Sequence, residues 1–334
     1  ADRQRNLDWI DLAFGRGLAK QEDFPEQLIH DFDWKQWRSQ QNATSLAIAK
    51  NAPSIERIKW SLGQAPKTLA PVDQEEFLTD AESSLMTHDR WTPRGVHRVP
   101  IHFGHGVRGN LYFKDGAPTP MPVVVWLHPL SYHSGYNEGY GVQGTTVYQR
   151  LAENGFAVIA YDQCGFGLRL LEGRDFYKNH PRWSKLGRMV MDARAAVSFA
   201  VEGRGAAKSA IPEFDTKRVF LLGYSSGALS AMYAGALDDR IAGVACFSGW
   251  TPLRDTRNAK VTGGNRRLWE LHALQPRLGL FDGRESEMPF DYDDVLGLVL
   301  PKPCLVVTPK RDRYADFSAV VEVKIGRASC RERA

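Results

Sequence analysis

Residues 218–227, RVFLLGYSSG, run directly into ALSAMYAGALDD at 228–239. An apolar run ends in Gly-Tyr-Ser-Ser-Gly and passes at once into strong helix formers. That order, strand then G-x-S-x-G then helix, is the context in which a serine is pushed out of a sharp turn above the edge of a sheet. Gly223 and Gly227 supply the space, because a side chain at either position would meet neighbouring backbone. The helix N-terminus beneath the turn favours developing negative charge. An incidental Ser-Gly turn is the competing explanation. The strand-to-helix placement marks Ser225 as a candidate nucleophile.

Short β-branched runs ending in Gly, Pro or Asp recur on both sides of this stretch: VHRVPIHFG, GNLYFKD, PVVVWLHP, FAVIAYDQCGFG, IAGVACFSG and PCLVVTPKRD. Helix-length segments, GTTVYQRLAENG and WSKLGRMVMDARAAVSFAVEG, lie between the later ones. Strands alternating with helices predict an α/β fold, a mostly parallel sheet with helices on both faces, opened by an antiparallel pair. Residues 1–92, with helical spacing in stretches such as FPEQLIHDFDWKQWRSQQ, predict a helical N-terminal extension. Residues 93–324 then form the catalytic domain, with 251–300 an irregular, lid-like insertion. Trp183 in NHPRWSKLG is expected to anchor its helix to the sheet.

With 43% hydrophobic and 25% charged residues, the 334-residue chain has an ordinary globular composition. No run approaches the roughly 18 apolar residues of a membrane helix, so no membrane partner is expected. Of the net charge of +4, +3 comes from Lys324, Arg327, Arg331 and Arg333 against Glu332. Elsewhere no Lys/Arg stripe interleaves with aromatics, which argues against a nucleic-acid partner. The opening ADRQRNLDWIDLAF has no apolar signal core and leaves the compartment open, with a secreted or periplasmic one favoured. Cys164, Cys246 and Cys304 lie in or beside apolar runs and read as buried thiols, a Cys246–Cys304 bridge being the alternative. No metal-ligand spacing occurs.

A serine nucleophile needs an acid and an oxyanion pocket. In the chain order Ser, acid, His, the acid is expected past the strand that follows the insertion, where PCLVVTPKRDRYAD offers Asp312, with Asp316 as the rival. The strand end VVVWLHPLSYH is where the second oxyanion donor belongs, so Leu130 and Ser226 N–H form the expected pair. Tyr224 and Trp250 are placed to line a substrate pocket, with plain packing as the equal alternative.

The elbow at Ser225, the HP turn, the DQCGFG turn after the fourth strand and TPKRDRYAD together resemble the α/β-hydrolases, specifically the dienelactone hydrolase and acetyl xylan esterase-like branch, over about residues 95–324. One departure is His128-Pro129 where that branch has His-Gly. Proline has no N–H, so the donor moves to Leu130. The resemblance places the catalytic histidine in a loop after the last strand. None of the nine histidines, at 30, 88, 97, 102, 105, 128, 133, 180 and 272, follows Asp312. The run IGRASCRER near the end resembles a translated sequencing-library adapter, so residues 325–334 are expected to be a non-native tail. The last strand and helix, with the histidine, are expected to be missing.

His128 and His133, near the oxyanion loop, and His272, in the insertion, are conceivable substitute bases, though substrate-contacting or structural roles suit them better. Ser225 is expected in an unusual backbone conformation and beyond hydrogen-bond reach of all of them. The resemblance implies a serine carboxylesterase acting through an acyl-enzyme without a cofactor, on a small-molecule or carbohydrate ester, with impaired activity in this chain. A peptidase or thioesterase of the same fold, or an inactive binding scaffold, remains open.

Overall fold

The computed structural model describes residues 32–49, 51–69, 93–132, 134–137, 145–202, 211–254, 265–312 and 315–323. His30, His88, His133, Cys330 and the tail fall outside them. The sheet has seven strands: β1 (Val96–Phe103), β2 (Val107–Lys114), β3 (Met121–Leu127), β4 (Ala157–Tyr161), β5 (Phe214–Tyr224), β6 (Gly243–Phe247) and β7 (Cys304–Val307), in the order β1-β2-β4-β3-β5-β6-β7. β1, β2 and β4 pair antiparallel, and every pairing from β4 through β3 to β7 is parallel. The predicted antiparallel opening and parallel body are both present.

Burial on both faces explains the continuous apolar runs. In β4 all five residues are buried, as a strand inside a parallel sheet requires. β3 shows how its side chains divide: Val123, Val125 and Leu127 enter one core, Val124 and Trp126 the other, following the two-residue period of a strand. Five helices are used below: α1 (Ser54–Leu62), α2 (Val147–Glu153), α3 (Lys185–Glu202), α4 (Ser226–Leu237) and α5 (Tyr292–Val299). α1, α3, α4 and α5 contribute to the first core, and Tyr148 and Ala152 of α2 to the second. α4 is buried nearly all round, which accounts for its lack of a polar face. Among the described residues no helix is long and apolar enough to cross a membrane.

The described part of the N-terminal extension, 32–49 and 51–69, packs onto the domain, and the rest of residues 1–92 lies outside the described residues. Arg57 of α1 pairs with Asp294 of α5 at 3.3 Å, and Trp34 Nε1 donates to Pro276 O at 2.7 Å. Trp183 is buried in the first core and its backbone bridges Gly63 at the end of α1.

The insertion does not stay irregular. Asp291 caps α5 reciprocally with Asp294, and Tyr292, Val295, Leu296 and Val299 are buried against α4 and the sheet, so 291–299 is part of the core and not of a lid. Cys164, Cys246 and Cys304 form no disulfide with one another. β6 and β7 are neighbours, but Cys246 aligns with Val306 and Cys304 with Val244. Among the described residues β7 pairs only with β6, and Leu305 and Val307 are exposed.

Candidate active site

Strand β5 ends at Tyr224 and α4 begins at Ser226, leaving Ser225 alone in the turn with φ 55° and ψ −117°. Such a conformation costs a non-glycine residue on the order of 1–3 kcal/mol. Ser225 N–H donates to Phe247 O at 2.9 Å, which ties the turn to the end of β6. A Cβ on Gly223 would overlap the Gly227 carbonyl, and one on Gly227 the Leu127 carbonyl. Both glycines are therefore required by close backbone approach, as the sequence suggests.

A third glycine completes the elbow. Gly249, at φ +95°, packs so closely that a Cβ there would overlap the backbone of Ser225 itself. Gly249→Ala is therefore expected to slow labelling of Ser225 by a fluorophosphonate by at least about tenfold and to lower the melting temperature. A variant labelled at the parent rate would show that the turn tolerates displacement.

Ser225 opens onto a cleft of about 450 Å³, counting the part open to solvent. Its apolar wall includes Leu130, Leu229, Trp250 and Leu274; its polar wall includes Ser226, Thr251, Arg267 and His272. Ser226, as the first residue of α4, has no intrahelical acceptor for its N–H. Of the residues predicted from sequence, Ser225, Ser226, Leu130 and Trp250 meet here.

Others do not. Tyr224 is 45% exposed and lies outside the cleft wall, on the strand face of Phe220 and Leu222 opposite the buried Gly223, so it does not line the pocket. Asp312 follows β7, half-buried, and its Oδ1 accepts from Ala315 N–H at 3.3 Å. Its rival Asp316 caps a short helix through Ala319 N–H, and its own N–H donates to Thr251 Oγ1 at 3.1 Å at the cleft.

His128 is fully buried and does not contact the cleft, contrary to the expectation of a substrate-binding role. Its Nδ1–H donates to Pro129 O at 2.7 Å, and its Nε2 accepts from Gln163 N–H at 2.9 Å. Gln163 then donates to His128 O and accepts from Ser230 Oγ of α4. This network joins the ends of β3 and β4 to the nucleophile helix. It fixes the two residues before Leu130, which lines the cleft with Ser225.

Burial pushes the His128 imidazole down to about 4, with the Pro129 hydrogen bond opposing and Arg169 assisting. Between pH 6.5 and 4 the unfolded chain binds a proton there that the folded protein refuses, so stability falls as pH falls through that window, by up to about 3 kcal/mol. Asp162, pushed up to about 6 by burial against hydrogen bonds from Leu168 and Tyr136 N–H, acts in the opposite sense. The His128 contribution is isolated by comparison with His128→Gln. The stability gap between the two proteins should narrow on acidification from pH 6.5 to 4, and a constant gap in denaturant titrations would contradict it.

His272 is placed in the cleft by a distinctive backbone. Its N–H donates to Arg267 O at 2.9 Å, closing an i→i+5 turn over Arg267–Leu271, and Ala273 follows at φ 48°. Tyr132 OH lies 2.7 Å from His272 Nδ1. Among the described residues no histidine hydrogen-bonds Ser225.

The sequence profile described as serine aminopeptidase, S33, matches residues 123–308. Three solved structures share the fold: a glucuronoyl esterase from Solibacter usitatus (19% identity, 87% of this chain and 79% of that one, TM-score 0.52), a promiscuous CE15 esterase from a marine bacterial metagenome (16%, 90% and 82%, 0.52), and a CE15 glucuronoyl esterase from Teredinibacter turnerae T7901 (14%, 90% and 76%, 0.51). No curated protein matches. The profile spans more than half of the chain and runs from β3 through the Ser225 elbow to the end of β7, and on that match the chain belongs to the serine aminopeptidase S33 family of α/β-hydrolases.

Proposed function

We propose that the protein is a serine carboxylic-ester hydrolase. Ser225 Oγ attacks the ester carbonyl, the oxyanion is held by Ser226 and Leu130 N–H, the alcohol leaves, and water releases the acyl group from Ser225. The observation that carries this reading is the strained Ser225 turn, braced by three glycines and opening on the cleft. Asp312 is the acid that would orient a histidine, and Asp316, bonded to Thr251 at the cleft, is its rival.

A peptidase acting on free N-termini is the second reading, prompted by the family description. Its substrate brings an ammonium group, for which a carboxylate is the natural partner. Among the described residues lining the cleft there is no Asp or Glu, and the charged side chain is Arg267. That sign favours the ester. The three fold neighbours with esterase names support the same class, a small-molecule or carbohydrate ester. Treatment with a fluorophosphonate and with p-nitrophenyl acetate, of this chain and of a form supplied with a histidine after Asp312, followed by peptide mass analysis, should find both adducts on Ser225, formed faster in the second protein. Adducts elsewhere, or none in either protein, would sink the proposal.

A further inference from the structure

Three features of the cleft wall have no role in the steps above. Arg267 reaches the cavity in which Ser225 sits, while its neighbour Arg266 turns to an exposed pair with Glu270. Trp250 is 4% exposed, and its Nε1 has no hydrogen-bond partner among the described residues. Ser226 Oγ, equally buried, is in the same state. An indole N–H can only donate, and a guanidinium offers five donors, so Arg267 can keep one partner and present others. A buried donor such as Trp250 Nε1–H carries a cost that an acceptor would relieve.

The backbone that presents Arg267 is itself unusual. The i→i+5 turn sets Arg267 and His272 on the cavity side, and Ala273 holds the end of that turn at positive φ. Interruptions of this sort concentrate at functional sites, where surrounding contacts maintain them. Asn265, just before the turn, donates to Pro252 O and Leu253 O at 3.2 and 3.1 Å, which fixes the turn to the segment after Trp250. Arg267 and Trp250 are thus held as one wall.

We infer that this wall is a carboxylate-recognising subsite, and that the preferred substrate is an ester carrying a free carboxylate on its acyl or alcohol portion. The anion pairs with Arg267 and accepts from Trp250 Nε1–H, while the ester carbonyl is presented to Ser225. This deepens the esterase reading and rests on it for the identity of the reacting bond.

Binding can be tested without turnover in the Ser225→Ala protein. Calorimetric titrations at neutral pH would compare monomethyl succinate, glutarate and adipate with their neutral dimethyl esters. At least one half-ester should bind about tenfold or more tightly than its diester. Adding Arg267→Gln should bring that ratio close to one, Arg267→Lys should keep part of it, and Trp250→Phe should reduce it. Equal affinities in the parent, no measurable half-ester binding at millimolar concentration, or a ratio that survives Arg267→Gln would overturn the subsite. Failure of the esterase reading is seen separately, as absence of Ser225 adducts from activated esters even in the form supplied with a histidine after Asp312.

Discussion

Supplying a histidine after Asp312, by appending the last strand-and-helix segment of a related hydrolase, is expected to raise turnover of p-nitrophenyl acetate by about 10³-fold or more. Ser225→Ala in that protein should remove the gain. The magnitude follows from how such sites fail: without a base the serine hydroxyl is a poor nucleophile, while oxyanion donors and the pocket still give about 10³ to 10⁴ over water. Within these 334 residues no histidine follows Asp312, and Ser225 has no histidine partner among the described ones. The elbow is already packed against Gly249, and the turn that leads to Leu130 is tied down by the His128–Gln163–Ser230 network. What the graft would add to the chemistry is a proton relay. High activity in the ungrafted chain that vanishes on His272→Ala would reassign the base to His272, the histidine that shares the cleft with Ser225.

The fold was legible because its central strands are buried on both faces and read as unbroken apolar runs, as AVIAY in β4 does. The Ser225 elbow was legible because its glycines are demanded by local geometry within five residues. Gly249 was not, since CFSGW looks like any strand ending and its clash with Ser225 arises only when β5 pairs with β6. Which of its two roles His128 plays is hidden for a related reason. A histidine after a strand suggests ligand contact, but the groups that occupy both of its nitrogens include one 35 residues away. α5 did carry a signal, Asp291 three residues before Asp294 and then Val295, Leu296 and Val299, but the Gly- and Pro-rich stretch before it obscured the start. The i→i+5 turn that presents Arg267 and His272 has no pattern of its own in the sequence. It depends on Asn265 and Tyr132 closing around it.

Arg169→Met is expected to destabilise the protein by about 3–5 kcal/mol, the cost of leaving a buried charge without its partner. Arg169 is fully buried just after the DQCGFG turn. It lies 2.7 Å from Glu172 and 2.8 Å from Asp192 of α3, and Arg188 of the same helix closes the group at 3.0 Å from Glu172 and 3.4 Å from Asp192. The Arg169–Asp192 approach is short in distance but off the hydrogen-bond axis, so the attraction there is mainly Coulombic. Two guanidinium groups and two carboxylates balance. Removing one guanidinium leaves a net negative charge in a dry interior, whereas Arg169→Met with Asp192→Leu removes a charge of each sign. The double variant should therefore be more stable than Arg169→Met alone, and a double-mutant cycle by chemical denaturation should show coupling of at least about 1 kcal/mol. Additive losses would mean that the quartet is four separate contacts. The consequence reaches the site, because Arg169 also donates to Asp162 O at 2.9 Å, next to the Gln163 that holds His128. Ser225 labelling should slow in Arg169→Met even below its melting temperature, and recover with stability in the double variant.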